Sequence, residues 1–214
     1  DPGASWKFAG LSPNKLYSFK ARARNQVGAE TGESITVSTY TLAFATMPQV
    51  GTQLFSEVWA ASITINWSSG TGAGGYNGPG AAYWVQASTM AGFIPVMGSS
   101  LTANIFATVP GLQVNATHYF RVRAYNAAGV TDYSWLVLGS TVSAVETITG
   151  IQFDDISTHS IVASAYAASP AFAGLEKGVS GISVARDGAY AAYRSGNGWV
   201  TRAVMPTARE SLAA

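Results

Sequence analysis

Residues 17–24, YSFKARAR, place Tyr17, Phe19, Ala21 and Ala23 on one side and Ser18, Lys20, Arg22 and Arg24 on the other. A period of two is that of a half-buried strand, whose successive side chains point to opposite faces. Residues 118–125 repeat it, with His118, Phe120, Val122 and Ala124 set against Tyr119, Arg121, Arg123 and Tyr125. Further strand-like segments are SITINWS (62–68), YWVQAS (83–88), TANIFATV (102–109), WLVLGSTVS (135–143) and SIVASAY (160–166). Turn formers separate them: SSGTGAGGYNGPG at 68–80, NAAG at 126–129 and SGNG at 195–198. No stretch of ten or more residues keeps helical spacing of apolar positions, so the pattern predicts an all-β chain of short strands.

The strands recur. Gly10, Leu11, Asn14, Phe19, Arg22, Ala23, Asn25 and Gly28 reappear 101 residues later as Gly111, Leu112, Asn115, Phe120, Arg123, Ala124, Asn126 and Gly129. A spacing of 98 relates LFSEVWAASITINW (54–67) to QFDDISTHSIVASA (152–165), pairing Phe55 with Phe153 and Ile63 with Ile161. The repeat unit is therefore about 100 residues, in the size range of one small sandwich domain. Only the middle copy, about 47–146, is expected whole; the chain begins near the end of one unit and stops inside another.

Three motifs carry a family resemblance. L-x-P-N-x-x-Y-x-F-x-x-R-A-x-N-x-x-G, from Leu11 to Gly28, resembles the E-to-F corner and F strand of fibronectin type III domains. SITINW resembles that family's B strand with its core tryptophan, here Trp67, and YWVQAS its C strand. The resemblance covers residues 1–146 and, more loosely, runs to 166. It implies tandem immunoglobulin-like antiparallel β-sandwiches, one complete and two partial, each complete one of two packed sheets and seven strands. Trp67, Tyr83, Val85, Phe120 and Val122 are the implied core. The expected domains are 1–46, the end of strand E with F and G; 47–146, a whole sandwich; and 147–214, a partial start running into a β-rich segment. Within that last segment, Trp199–Arg209, W-x-x-x-x-x-M-P-T-A-R, resembles the linker between blades of Kelch propellers.

The resemblance also gives His118 a structural slot. Tyr17 stands at the tyrosine-corner position, where the ring packs inward and the hydroxyl bonds nearby backbone; His118 stands at its counterpart. The other histidine, His159, lies in a different repeat, and no His/Asp/Glu cluster at ligand spacing accompanies either, so no metal and no cofactor is expected. Asp154 and Asp155 are adjacent and on a strand would face opposite ways, which does not suit a paired-carboxylate site. No G-x-S-x-G elbow supports a serine nucleophile, and the glycine-rich 68–80 stretch lacks the Lys-Ser/Thr of a phosphate loop. It reads as a packing or flexible loop between strands. Asn66 and Asn115 match the N-glycosylation pattern, one beside a core tryptophan and one in the corner turn, which favours coincidence.

Composition narrows the partners. The chain has 214 residues, 11% charged, a net charge of +1 and no cysteine. That balance makes no electrostatic case for nucleic acid or an anionic membrane, and no apolar run approaches the roughly 18–20 residues of a membrane helix. Without cysteine neither disulfides nor thiolate metal sites exist. Few charges and many small polar residues point to export, hence to an extracellular or cell-surface place on a bacterium.

If the C and F strands pair, Trp84, Tyr119, Arg121, Arg123 and Tyr125 share one outer face. Aromatic rings with arginine make a contact surface for protein or, by stacking, for glycan; they also make cross-strand pairs that only steady a sheet. These residues are the candidate contact surface. The expected function is that of a non-catalytic extracellular structural or adhesive repeat protein, a bacterial filament subunit assembled head to tail by strand complementation. The alternative is a carbohydrate-binding accessory module of a secreted enzyme. A segment of two strands and part of a third, as in 1–46, cannot bury a two-sheet core alone, which is the physical reason for expecting complementation by another copy or by neighbouring domains.

Overall fold

In the computed structural model, residues 5–70, 76–167, 182–186 and 189–190 are described. The Kelch-like stretch Trp199–Arg209 lies outside them. The described residues contain strands and no helix, and the chain divides into two compact units, one of residues 1–58, 62–112 and 117–141 and one of 59–61, 113–116 and 142–214.

In the first unit, β1 (Leu16–Phe19) and β2 (Val37–Tyr40) form an antiparallel pair in which Tyr17 faces Thr39 and Phe19 faces Val37. The Tyr17 hydroxyl accepts a hydrogen bond from the Ser12 backbone N–H at 2.9 Å, so the corner forms as the resemblance implies. The strand expected over 17–24 is shorter than its pattern: it ends at Phe19, and Ala21 and Ala23 are exposed. Alternation alone does not hold a strand; Ala21 and Ala23 have no apolar surface to cover them, and their N–H groups donate to the Ser34 and Thr31 hydroxyls instead of to backbone. Past Phe19 the pairing continues as single backbone bonds from the Ser34 and Thr31 N–H groups to the Ala21 and Ala23 carbonyls, both at 2.8 Å, an isolated bridge between Arg24 and Glu30, and two exposed ion pairs, Lys20–Glu33 and Arg22–Glu30.

Next come β3 (Phe55–Ser56), β4 (Ser62–Asn66), β5 (Ala82–Ser88), β6 (Gly98–Thr102), β7 (Phe106–Pro110), β8 (Thr117–Tyr125) and β9 (Leu136–Val142). They make two sheets, β3-β4-β7 and β6-β5-β8-β9, seven antiparallel strands in all. TANIFATV is not one strand but the last residue of β6, a short turn and the start of β7, which belong to different sheets. Burial along β8 alternates without a break from His118 to Tyr125, which turns Phe120, Val122 and Ala124 inward. Trp67, Tyr83, Val85, Phe120 and Val122 all lie in the core, with Ile63, Ile65, Val109 and Leu138 from facing strands. Trp67 meets Tyr83 at 5.5 Å between ring centroids, and Phe55 meets Phe120 at 5.4 Å. His118 is fully buried at the inward position that Tyr17 occupies in the earlier repeat.

In the second unit, β10 (Ile148–Ile156) and β11 (Ile161–Ala167) pair antiparallel, with register shifts between Ile148 and Gly150 and between Phe153 and Asp155. Asp154 accepts from the Gln152 side-chain amide and the Ser164 hydroxyl on this exposed hairpin. Ala165, at the position where the middle repeat has Trp67, packs on Ile182 and Val184, and β12 (Ala185–Arg186) pairs with β13 (Ala189–Tyr190).

Candidate functional site

The candidate residues stand on the outer face of the four-stranded sheet. Register puts Trp84 of β5 opposite Arg123 of β8, Gln86 opposite Arg121, Ala82 opposite Tyr125 and Ser88 opposite Tyr119. The four inward positions between the β8 residues are buried, so period two delivers Tyr119, Arg121, Arg123 and Tyr125 outward by necessity.

Guanidinium groups and rings then interleave. The Arg121 guanidinium carbon lies 4.3 Å from the Phe93 ring centre and 4.2 Å from that of Trp135, held between the two. Arg121 Nε and Nη2 donate to Gln86 Oε1 at 3.0 and 2.7 Å, which fixes the plane of the group. Arg123 lies 4.5 Å from the Trp135 ring, 4.7 Å from Trp84 and 5.3 Å from Tyr125. Trp84 and Trp135 are tilted at 52° with centroids 5.6 Å apart. The sequence along the face is thus Phe93, Arg121, Trp135, Arg123, then Trp84 and Tyr125. Tyr119 sits at the far end of β8, opposite Ser88, and is not among the stacked rings.

Two adjacent cations need compensation. Among the described residues no carboxylate pairs with either; the negative faces of four rings and one amide oxygen serve instead. Burial first, and then the like charge of Arg123, push the Arg121 guanidinium below its ordinary value. A cation held this way is oriented and spent on rings, which suits contact and rigidity, not proton transfer.

Trp84 and Tyr125 also border a shallow groove of about 490 Å3, completed by Leu101, Gly80, Ala82, Asn126, Ala127 and Gly129. Among the described residues no three His, Cys, Asp or Glu side chains come together as a metal site, and no helix is long and apolar enough to cross a membrane. His159 is exposed, with Nδ1 2.7 Å from the Thr158 hydroxyl. Asn66 turns its amide to the Gln53 carbonyl and the Ser56 hydroxyl, both at 3.0 Å, a structural use of the first glycosylation-like asparagine.

Trp135, Phe93 and Gln86 were not among the residues the sequence singled out. Trp135 was legible: Leu138 faces the core, and parity along β9 then turns Trp135 outward. Phe93 was not. It belongs to the loop between β5 and β6, has a left-handed φ of 58°, and reaches Arg121 only because that loop folds over the outer face. A bulky residue at positive φ is rare and persists where surrounding contacts over-determine it.

A three-stranded sheet facing a four-stranded one, with Trp67 buried directly after β4 and the tyrosine corner preserved at Tyr17, makes this an all-β protein of immunoglobulin-like, fibronectin type III arrangement. No family model matches the chain, and no curated protein matches it. Among solved structures it is similar to the FN1-FN3 domains of chicken CNTN1, with TM-score 0.33 and 14% identity over 65% of this chain and 46% of that one. It is also similar to domains d3-d4 of the rat CD45 extracellular region, with TM-score 0.36 and 19% identity over 67% of this chain and 71% of that one. The chain spans less than half the length of the chicken structure. Strand order and register, not these likenesses, define the sandwich.

Proposed function

We propose that the chain is a non-catalytic, extracellular structural repeat protein that associates head to tail with further copies of itself, as the subunit of a bacterial surface filament. One observation carries the reading. In the whole sandwich Phe55 of β3 packs on Phe120 of β8 at 5.4 Å. The repeat counterpart of Phe55 is Phe153, on β10, and it is 62% exposed; the counterpart of Phe120 is Phe19, on β1. Each outer hairpin therefore holds one half of the aromatic pair that closes the middle sandwich.

Phe19 is half-buried, with the largely exposed Phe8 ring 5.1 Å from it, and exposed apolar positions accompany both halves. Val37 of β2, opposite Phe19, and Ile151, Ile156 and Ile161 on β10 and β11 are exposed. Apolar strand faces of this kind are characteristic of surfaces that another chain covers. Joining β10–β11 of one copy to β1–β2 of the next places Phe153 against Phe19, a heterologous contact that propagates as a fibre unless it closes as a ring.

Sedimentation velocity tests it. The chain at tens of micromolar should run as a concentration-dependent series, and Phe153→Asp should reduce it to monomer while the sandwich stays folded. A folded native chain that remains monomeric at those concentrations refutes the proposal. A second reading, glycan stacking, is favoured by one feature, the groove bordered by Trp84 and Tyr125. Titration with soluble polysaccharides separates the two: binding lost in Trp84→Ala supports the glycan reading, and no binding by the native chain removes it.

A further inference from the structure

Segment 5–46 meets the sandwich through Ala43, which is buried in its core with Ala45 packed alongside, and through asparagine side chains. Asn14, at the corner before β1, is 2% exposed and has a left-handed φ of 49°. Its Nδ2 donates to the Gly78 and Pro79 carbonyls at 2.6 and 2.9 Å, in the loop before β5. Its Oδ1 accepts from the Ala127 N–H at 2.6 Å, in the turn after β8. One neutral side chain thus joins the corner to two loops at the same end of the sandwich. The contact is reciprocal. Asn126 Nδ2 donates to the Thr41 carbonyl at 3.3 Å, and Asn77 both donates to the Phe44 carbonyl at 2.7 Å and accepts from the Phe44 N–H at 3.2 Å. The Gly78 N–H donates to the Pro13 carbonyl at 3.1 Å.

Approach is close enough to demand glycine. A Cβ on Gly78 would stand 2.6 Å from the Asn14 backbone oxygen, a distance that the backbone could relieve only by separating corner from loop. The connection between the parts is paired as well: Thr46 and Ser68 exchange both backbone bonds, at 2.8 and 2.9 Å.

Both halves of the joint belong to the repeat. Asn115 stands at the corresponding corner with the same φ of 49°. The turn receiving Asn14 is built by Asn126, whose Oδ1 accepts from the Ala128 and Val130 N–H groups. Asn25 builds the same turn one repeat earlier, accepting from Val27 and Ala29.

We propose that the corner asparagine is a clamp that locks a repeat onto the glycine-containing loops of the next, with Asn14 as the clamp at this junction, so that segment 5–46 and the sandwich move as one stiff piece instead of two beads on a flexible string. The occupant of the receiving surface is the corner of the preceding repeat. Because every bond in the clamp is between neutral groups, its stiffness is independent of calcium and of ionic strength, unlike a charge-latched or metal-bound joint. The proposal does not depend on association between copies.

The absence of native cysteine allows a direct test with paired spin labels at Ser18→Cys and Ser99→Cys in the full chain, both positions being exposed. The native background should give one narrow distance distribution, unchanged by chelator or by 1 M salt, an amount chosen to collapse the screening length to about 3 Å. Asn14→Ala and Gly78→Ala should each at least double its width, while the Val85 and Val122 amides keep their hydrogen-exchange protection. A broad native distribution overturns the clamp, as does a width unchanged in both variants or a native width that grows on chelation. Loss of Val122 protection in both variants also overturns it, since Asn14 would then be part of the sandwich's own stability.

Discussion

Trp135→Ala removes the centre of the stacked face. The ring meets Arg121 at 4.2 Å, Arg123 at 4.5 Å and Trp84 at 5.6 Å. A cation over a ring contributes about 0.5–2 kcal/mol, and an aromatic pair about 0.5–1.5 kcal/mol. The face is half-buried, so the middle of each range applies, and the three contacts together come to about 3.5 kcal/mol. Removal also leaves two guanidiniums facing each other across the vacated space. The measurement is amide hydrogen exchange at Val122 and Ala124, core positions of β8 that open only with the sandwich. With tenfold per 1.4 kcal/mol, exchange should accelerate roughly 300-fold. Trp135→Phe, which keeps a ring, should recover most of the protection. In a double-mutant cycle with Arg123→Gln, about 1 kcal/mol of coupling is expected, as for contacting residues. Acceleration below about threefold, the range of ordinary surface substitutions, would refute the reasoning that the stacked rings and guanidinium groups steady this sheet.

Other substitutions separate parts of the fold. Phe55→Ala should destabilise the sandwich by about 2–3 kcal/mol, the low side for a half-buried phenylalanine, whereas Phe153→Ala should change unfolding by less than about 0.5 kcal/mol and act on association alone; denaturation and sedimentation on the same samples read both. His118→Ala leaves a void at a fully buried position and should cost about 2–4 kcal/mol in chemical denaturation; an effect within noise would show that the histidine does not fill the corner. Gly98→Ala would put a Cβ 2.7 Å from Val109 Cγ1 and 3.0 Å from the Pro110 carbonyl, so β6 must move. Overpacking of that kind costs about 1–3 kcal/mol and should appear as faster exchange of the amides paired between β5 and β6.

Much of this protein was set by local pattern. Alternation over 118–125 decides which β8 residues face inward, because a strand buried on one side tolerates no slip of register. The same parity put Trp84, Arg121, Arg123 and Tyr125 on one outer face, and recurrence at 101 residues placed His118 in the corner that Tyr17 fills elsewhere. Pattern misled where packing was missing: residues 17–24 alternate as well as 118–125 do, yet β1 ends at Phe19 since no facing sheet covers Ala21 and Ala23. What only the tertiary structure decided lies in the loops. Phe93 caps Arg121 from a loop in a left-handed conformation, and Asn14 reaches the Gly78, Pro79 and Ala127 backbone 64, 65 and 113 residues away. Periodicity reports the inner face of each strand, because burial selects it residue by residue. It carries no information on which loop folds over the outer face or which corner meets the next repeat, since those contacts are made by single residues with no period to betray them.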